Sequence, residues 1–320
     1  MKNIWVIVLT LFALALMVAG CGGSSVPDGT VVSIIYSADT HGKLEGCGCQ
    51  SGGGGVARRS AAILGARSED ETVVYCDAGN FMSGTPDVDK TRGKLAIDVY
   101  NQLKPDVVNI SERELAFGMD AFRDARKNSK FEYVSANLRD NGAMLAQPFI
   151  IKKVKEARVA FIGLCGTKSV MRTDSSRLPA GITIEDPVVE ARKSIVAIAD
   201  KADLIVVLST CGDETDSLIA KTLPNIDVII GGRSFRPNAD APWVMGKTRI
   251  VRPQRDGRSM GRIDLVFGPQ KTIKTYSPAA VVASPNGQAD EKMLALIKQT
   301  IPDYSDNPPD VSNASTTSAK

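Results

Sequence analysis

The strongest constraint on the fold of this chain is a repeated alternation of short β-branched runs with segments whose apolar residues recur at helical spacing. Segments 56–67, 93–103 and 188–199 predict amphipathic helices. The β-branched runs predict strands at 31–37, 72–77, 107–110, 133–136, 157–164, 204–209 and 228–231. Strands that alternate with helices are typical of stacked βα units, so we predict an α/β fold.

Polar and sulfur-containing residues follow nearly every predicted strand. Taken singly, each of them can simply terminate its strand. The carboxyl ends of parallel strands, however, share one edge of an α/β sheet, and ligands bind at that edge. We therefore expect the loops that carry these residues to meet. The residues are Asp39 and His41, Asp77 to Asn80, Ser111 to Glu114, Asn137, Cys165, Thr210, Cys211 and the segment 231–235.

His41 is the single histidine of the 320 residues, and this limits the chemistry. Hydrolases that activate water on two metal ions use several imidazoles, because a neutral nitrogen ligand holds the cation without cancelling its charge. The chain has 39 basic and 36 acidic residues, which indicates neither a nucleic-acid surface nor an attraction for acidic substrates. Two-metal phosphoester hydrolysis is therefore the less favoured prediction, and no nucleic-acid partner is expected.

The N-terminus has the pattern of a targeting segment. Lys2 precedes an apolar run at 4–16, and small residues precede Cys21. The stretch 18–21 resembles a bacterial lipobox, which implies cleavage before Cys21 and lipidation of its sulfur; the alternative is an uncleaved helical anchor. We predict a signal peptide at 1–20 and a flexible tether at 21–30. Since residue 22 is not aspartate, the sorting habit of such lipoproteins favours the outer membrane, facing the periplasm, with the membrane as a partner.

The order of several motifs along residues 31–267 resembles the metallophosphoesterase domain of the 5′-nucleotidase family. These motifs lie at 37–42, 52–59, 77–80 with 84–86, 114–118, 135–138, 161–164, 186–187, 231–232 and 261–262. The resemblance implies a four-layer αββα sandwich with a dimetal site at the strand ends, and a segment 249–267 that closes the second sheet. We predict this domain at 31–301 and a disordered tail, rich in Pro, Asp, Asn, Ser and Thr, at 302–320.

The same resemblance implies that the dimetal site is mostly substituted. Asp39 and His41 match the first ligands of the family, but Asn80 corresponds to its metal-bridging aspartate, and a neutral amide cannot hold two cations together by charge. Glu112 corresponds to an asparagine ligand. Asp39, Asn80 and Glu112 remain able to hold one weakly bound hard cation.

Arginines and small residues stand where the family has histidines and a catalytic aspartate. Arg113 corresponds to the catalytic histidine, Ala116 to the aspartate that follows it, and Thr210 to a further histidine. Arg233 and the two residues after it replace a Gly-His-x-His pattern. Arg113 would repel a metal ion, whereas Arg113 and Arg233 together offer forked donors to an anion.

Cysteines have been added around the same loops. Cys47 and Cys49 lie in a Gly-Cys-Gly-Cys loop directly after His41, and Cys211 follows the position that lost a histidine. Cys76 and Cys165 lie in apolar strands, which favours inert buried thiols. A Cys-x-Cys disulfide would be tight, strained and readily reduced. The pattern also resembles a Gly-Cys-Gly-Cys subgroup of nucleotidase-like lipoproteins, some with selenocysteine, which implies redox or soft-ligand chemistry.

Three hypotheses about function follow, in order of preference. The first is a degenerate phosphoesterase in which Cys47 and Cys49 do thiol chemistry, or bind a soft metal with Cys211 and His41. The second is a hydrolase with a reduced metal site built from Asp39, His41, Asn80 and Glu112. The third is a non-catalytic envelope protein that binds a ligand or partner through Arg113 and Arg233. One divalent or soft metal ion is the cofactor that these side chains suggest, and the small molecule or redox partner is left open.

Overall fold

The computed structural model describes residues 26–46, 53–166, 178–281, 283 and 287–306. Cys21, Cys47 and Cys49, with the predicted signal peptide at 1–20, lie outside the described residues. No helix in the described part of the chain is long and apolar enough to cross a membrane.

Two six-stranded sheets form the frame of the molecule. The first has the strand order β15-β14-β1-β2-β3-β4, in which β1 to β4 run parallel and β14 lies antiparallel to β1. Its strands are β1 (Val31–Ser37), β2 (Val74–Asp77), β3 (Val107–Asn109), β4 (Glu132–Val134), β14 (Met260–Phe267) and β15 (Ile273–Val281).

The second sheet has the order β12-β13-β11-β10-β8-β7, with β8, β10, β11 and β13 parallel. Its strands are β7 (Phe149–Val154), β8 (Ala157–Cys165), β10 (Leu204–Thr210), β11 (Val228–Gly231), β12 (Trp243–Met245) and β13 (Thr248–Val251). A small third sheet joins β5 (Leu138–Asp140) to β6 (Ala143–Met144) and β9 (Ile182–Ile184).

Helices cover the outer face of each large sheet, and their bounds follow in chain order. They are α1 (Val56–Glu69), α2 (Pro86–Lys90), α3 (Lys94–Leu103), α4 (Met119–Asn128), α5 (Pro187–Ile198), α6 (Asp213–Thr222) and α7 (Glu291–Lys298), with 3-10 turns at Glu112–Leu115 and Pro269–Lys271. Hydrophobic clusters pack between the layers. One lies between the first sheet and its helices, one between the two sheets, and one between the second sheet and helices α5 and α6. This is the four-layer αββα sandwich that the sequence predicted.

The segment 249–267 departs from its prediction, because it is divided between the sheets. Residues 248–251 form β13 of the second sheet, whereas β14 pairs with β1 in the first. Buried Ile250 and Ile263 therefore face different layers of the core. The loop between β13 and β14 crosses from one sheet to the other at the strand-end edge, where Asp256 donates its backbone N–H to the carbonyl of Asp39 at 2.8 Å.

Two segments predicted to be flexible are partly packed. In the expected tether, Val26 is buried and Gly29 donates its N–H to the carbonyl of Phe267 at 2.8 Å. In the expected tail, Tyr304 donates its hydroxyl to the carbonyl of Leu44, and Asp306 accepts the N–H of Ala57, each at 2.8 Å. Helix α1 has no side-chain cap of its own at Gly55, so the carboxylate of Asp306 satisfies its free N–H groups.

Candidate functional site

Left-handed backbone conformations occur in the strand-end loops of both sheets. Asp39, His41, Asn80 and Arg233 all have positive φ values, between 49° and 66°. Residues other than glycine rarely adopt this left-handed region, and those that do are often found at functional sites. The predicted meeting of the loops is confirmed by contacts among Asp39, Asn80 and Arg233.

The carboxylate of Asp39 is buried and has hydrogen-bond donors on both oxygens. Oδ1 accepts the side-chain amide of Asn80 at 2.8 Å, and Oδ2 accepts the backbone N–H of Arg233. Nε2 of His41 lies 3.8 Å from Oδ1. Gly232 presses against this carboxylate, since a Cβ there would lie 3.0 Å from its oxygens. Both oxygens of the Asp39 carboxylate therefore already accept hydrogen bonds from within the chain.

Arg233 and Glu112 form an ion pair, with Nη2 2.5 Å from Oε2. The Arg233 side chain is only 3% exposed, and its Nη1 donates to the carbonyl of Gly166 at 3.3 Å. Such a buried guanidinium is not an open fork for an anion, which differs from the predicted role of Arg233. Arg113 is partly exposed and donates to the carbonyl of Ser83 at 3.2 Å.

The donor set of these loops does not fit a two-metal centre. Among the described residues, no group of three or more His, Cys, Asp and Glu side chains converges as a metal cluster. The guanidinium of Arg233 already neutralises Glu112, and N–H donors point at Asp39. Asn80 Oδ1 is buried and has no hydrogen-bond partner in the described part of the chain, so one uncharged acceptor stays open.

Glu114 organises the loop instead of lining it. Its buried carboxylate accepts backbone N–H groups of Asn80 at 3.1 Å, Phe81 at 2.8 Å and Ser111 at 2.8 Å. Burial raises its pKa to about 7, although the three hydrogen bonds act in the opposite direction. Ser111 and Glu114 form a capping box on the 3-10 turn that carries Glu112 and Arg113. Glu114 thus fixes the positions of both neighbouring charges.

A second buried carboxylate, Asp77, joins the loops after β1 and β2. It accepts the hydroxyls of Ser37 and Tyr100 and the N–H of Gly79, the last at 2.7 Å. Burial raises the pKa of Asp77 to about 6. Tyr100 also lies 3.1 Å from the hydroxyl of Thr40, next to Asp39 in the chain. These hydrogen bonds fix the position of the loop after β1.

His41 is oriented by Asp256, a residue that the sequence reasoning missed. Nδ1 of His41 lies 2.8 Å from Oδ1 of Asp256, and this hydrogen bond lowers the pKa of the Asp256 carboxyl. An imidazole that donates from Nδ1 presents Nε2 as its second, chemically open nitrogen. The available signal was the Asp256-Gly257 pair, a turn dipeptide whose two residues have φ values of 60° and 66°.

His41 and Asp256 open into a cavity of about 440 Å³. Its lining includes Gly46 and Gly53, which flank the segment with Cys47 and Cys49; the other lining residues are Lys43, Glu45, Gly84, Thr85, Gly257 and Arg258. The two glycines are close to each other, since a Cβ on Gly46 would lie 2.8 Å from the carbonyl oxygen of Gly53. The described residues on either side of the segment 47–52 therefore meet at this cavity.

Three further cysteines lie in the part of the chain that the structure describes, and all three are buried. Cys76, Cys165 and Cys211 form no disulfide within the described residues. Burial raises the pKa of each thiol, which opposes formation of the thiolate. Cys211 packs in the cluster under α5 and α6, and this location does not suit the predicted role of an accessible soft ligand. Inert thiols at Cys76 and Cys165 agree with the sequence analysis.

No family model matches the chain. A snake venom 5′-nucleotidase from Naja atra is 27% identical over 222 residues, which cover 63% of this chain and 41% of that protein. A 5′-nucleotidase precursor from Thermus thermophilus superimposes with a TM-score of 0.76 at 25% identity, over 85% of this chain and 59% of that one.

A calcineurin-like phosphoesterase, YfkN from Bacillus subtilis, superimposes with a TM-score of 0.73 at 20% identity, over 86% of this chain and 98% of that one. The chain spans about two fifths of the length of the Naja atra protein. The strand order, the loop positions and these similarities agree. The protein therefore contains a 5′-nucleotidase-like metallophosphoesterase domain.

Proposed function

We propose that this protein is a lipid-anchored envelope protein in which a nucleotidase-like domain carries out thiol–disulfide chemistry through Cys47 and Cys49, and in which two-metal phosphoester hydrolysis is lost. The observation that carries the proposal is the position of Gly46 and Gly53. These residues flank the cysteine segment and line the same cavity as His41 and Asp256.

The loss of two-metal hydrolysis is supported by the charges at the strand ends. A bridging carboxylate holds two cations together by charge, and Asn80 has none. Arg233 pairs with Glu112 at 2.5 Å, so a cation of the protein itself already compensates a remnant ligand. Releasing Glu112 for a metal would leave a buried guanidinium without its carboxylate, which is costly.

The chemistry that we propose is a dithiol–disulfide exchange. Nε2 of His41 accepts the proton of one cysteine thiol, and the thiolate attacks a disulfide of the partner; a mixed disulfide forms and one partner sulfur leaves as a thiol. The second cysteine then attacks the mixed disulfide. A Cys47–Cys49 disulfide forms, the partner is released fully reduced, and two electrons have passed to it. The reverse reaction oxidises a partner dithiol. The strain of a Cys-x-Cys ring favours this direction, because a strained disulfide is reduced more easily.

The anchor in this proposal is the lipid on Cys21, with the domain facing the periplasm from the outer membrane. Two or more acyl chains hold a protein stably where one does not. The compartment is oxidising, so a reactive cysteine pair there can exchange with disulfides of secreted proteins.

Timed alkylation of the purified protein tests the thiol proposal. After mild reduction, Cys47 and Cys49 should be alkylated well before Cys76, Cys165 and Cys211, which are buried and serve as internal references. Asp256→Asn should slow alkylation of the pair by about tenfold near neutral pH, because a charge-assisted hydrogen bond to His41 contributes about 1.5 kcal/mol.

Asp264→Asn is the matched control, since Asp264 pairs with Arg262 outside the cavity. Equal, slow alkylation of all the thiols would contradict the proposal. So would a Cys47→Ser, Cys49→Ser protein that exchanges with glutathione disulfide as fast as the unchanged one.

A further inference from the structure

A cavity of about 750 Å³ lies at the amino-terminal ends of the parallel strands of the first sheet, on the edge opposite the candidate functional site. Its walls come from segments that lead into the parallel strands β2, β3 and β4. Strand β7 ends at the same place, where Lys152 of β7 forms an ion pair with Glu132 of β4. The cavity thus lies where an edge strand of each large sheet approaches the other.

The lining of this cavity is cationic. Five basic side chains contribute to it, against the carboxylates of Glu71 and Asp106; the basic residues are Arg67, Lys104, Lys130, Lys152 and Lys153. Arg67 forms an ion pair with Asp106, with Nη2 2.7 Å from Oδ2.

Lys104, Lys130 and Lys153 are exposed and form no ion pair with any residue in the described ranges. Each ammonium group carries three donors and binds phosphate as a point charge. Unpaired ammonium groups around one cavity therefore favour an anion with several acceptor oxygens.

The same edge receives the chain from its N-terminus. Lys155, just after the cavity-lining strand, donates to the carbonyl of Val31 at 3.2 Å, and Val31 is the first residue of β1. Val26 is buried in the same cluster as Val154, which lines the cavity. The chain from Cys21 to Val26 spans at most about 18 Å when fully extended. A lipid on Cys21 would hold this edge close to the bilayer.

We propose that this cavity binds a phosphate group, and that the source of this group is the headgroup of an anionic phospholipid. The headgroup assignment depends on the lipid anchor of the proposed function, whereas the phosphate site does not. Binding at this edge orients the domain so that the strand-end cavity with His41 points away from the membrane. A cysteine pair held there is accessible to partners in the surrounding compartment.

Amine acetylation, followed by mass spectrometry, tests the proposal on the full-length protein reconstituted in vesicles. Phosphatidylglycerol in the vesicles should slow acetylation of Lys104, Lys130 and Lys153 by about fivefold relative to pure phosphatidylcholine, since a lysine near an anionic surface contributes about that factor. High salt should remove the protection. Lys90 and Lys94, which end α2 and begin α3 at the opposite edge, should be acetylated equally in both vesicles.

Inorganic phosphate added to phosphatidylcholine vesicles distinguishes the two sources. Protection by phosphatidylglycerol supports the headgroup; protection by inorganic phosphate alone supports the phosphate site and overturns the headgroup assignment. Equal acetylation under all conditions overturns the proposal. A protein that does not float with the vesicles disproves the anchor only, because the phosphate arm can be repeated without vesicles.

Matched variants exclude a general charge effect. Lys152 also lines the cavity and is kept in every variant, so its acetylation by the same reagent reports on the site. Phosphatidylglycerol should no longer slow acetylation of Lys152 in the Lys104→Gln, Lys130→Gln, Lys153→Gln protein. It should still do so in a protein with Lys90→Gln, Lys94→Gln and Lys298→Gln, which loses the same charge elsewhere. Equal protection of Lys152 in both proteins would overturn the site.

Discussion

The guanidinium of Arg233 lies 2.5 Å from the carboxylate of Glu112, and the backbone N–H of the same arginine donates to Asp39. One residue of the loop after β11 therefore contacts two carboxylates that belong to loops of the first sheet. The family resemblance implies metal ions at the corresponding loops. Here an internal cation compensates part of the negative charge, and the cavity beside it is organised around His41 and Asp256.

The first prediction is that the protein hydrolyses AMP and UDP-sugars no faster than the uncatalysed background, with manganese or zinc supplied. The neutral side chain of Asn80 cannot bridge two cations, and the carboxylate of Glu112 is already paired with Arg233. Phosphate release, followed with Asp39→Ala in parallel, measures this. Turnover that disappears in Asp39→Ala would show that a reduced metal site is active.

The second prediction concerns the Arg233–Glu112 pair. Glu112→Gln should lower the free energy of unfolding by about 3 kcal/mol, because it leaves a guanidinium with a 3% exposed side chain uncompensated. Lys94→Gln, which breaks the exposed pair with Asp98, should change it by about 0.5 kcal/mol or less. Urea unfolding measures both, and equal small effects would mean that Arg233 finds compensation elsewhere.

The third prediction is a fall in stability between about pH 4.5 and pH 7. Burial raises the pKa of Glu114 from 4.5 to about 7, so the folded protein binds the proton more tightly than the unfolded chain. The stabilisation is complete below pH 4.5 and is lost as the pH rises through 7, and the shift corresponds to about 3 kcal/mol.

Unfolding of Glu114→Gln across this range tests the third prediction. The slope should become shallower, with a remainder from Asp77 and Asp216, whose pKa values burial raises to about 6. The exposed Glu156→Gln control should keep the full slope. An unchanged slope in Glu114→Gln would contradict the assignment.

The fourth prediction concerns the N-terminus. Cys21→Ser should block lipidation and leave unprocessed precursor, because the sulfur of residue 21 is the acceptor in the lipobox reading of 18–21. Intact mass measured on membrane and soluble fractions checks this. Cleavage at the same position with unchanged membrane recovery would show that 1–20 is another kind of targeting segment.

The sequence alone was sufficient for the local elements and for the family resemblance. The sequence predicts β1 at 31–37 and β11 at 228–231, and the structure has both strands there, since buried β-branched runs between polar loops carry a strong local signal. The expected edge also follows from sequence, because parallel strands place their carboxyl ends together. That is why Asp39, Asn80 and Arg233 were correctly expected to meet.

Tertiary structure decided the partners across long separations. Asp256 reaches His41 from 215 positions away, and Asp306 caps α1 through Ala57 across 249 positions. Neither pairing has a periodic signal, because each depends on how loops between distant elements pack. The same reason explains the division of 249–267 between two sheets and the burial of Arg233 on Glu112: hydrophobic periodicity determines which face of a segment is buried, whereas only the assembled layers determine what it is buried against.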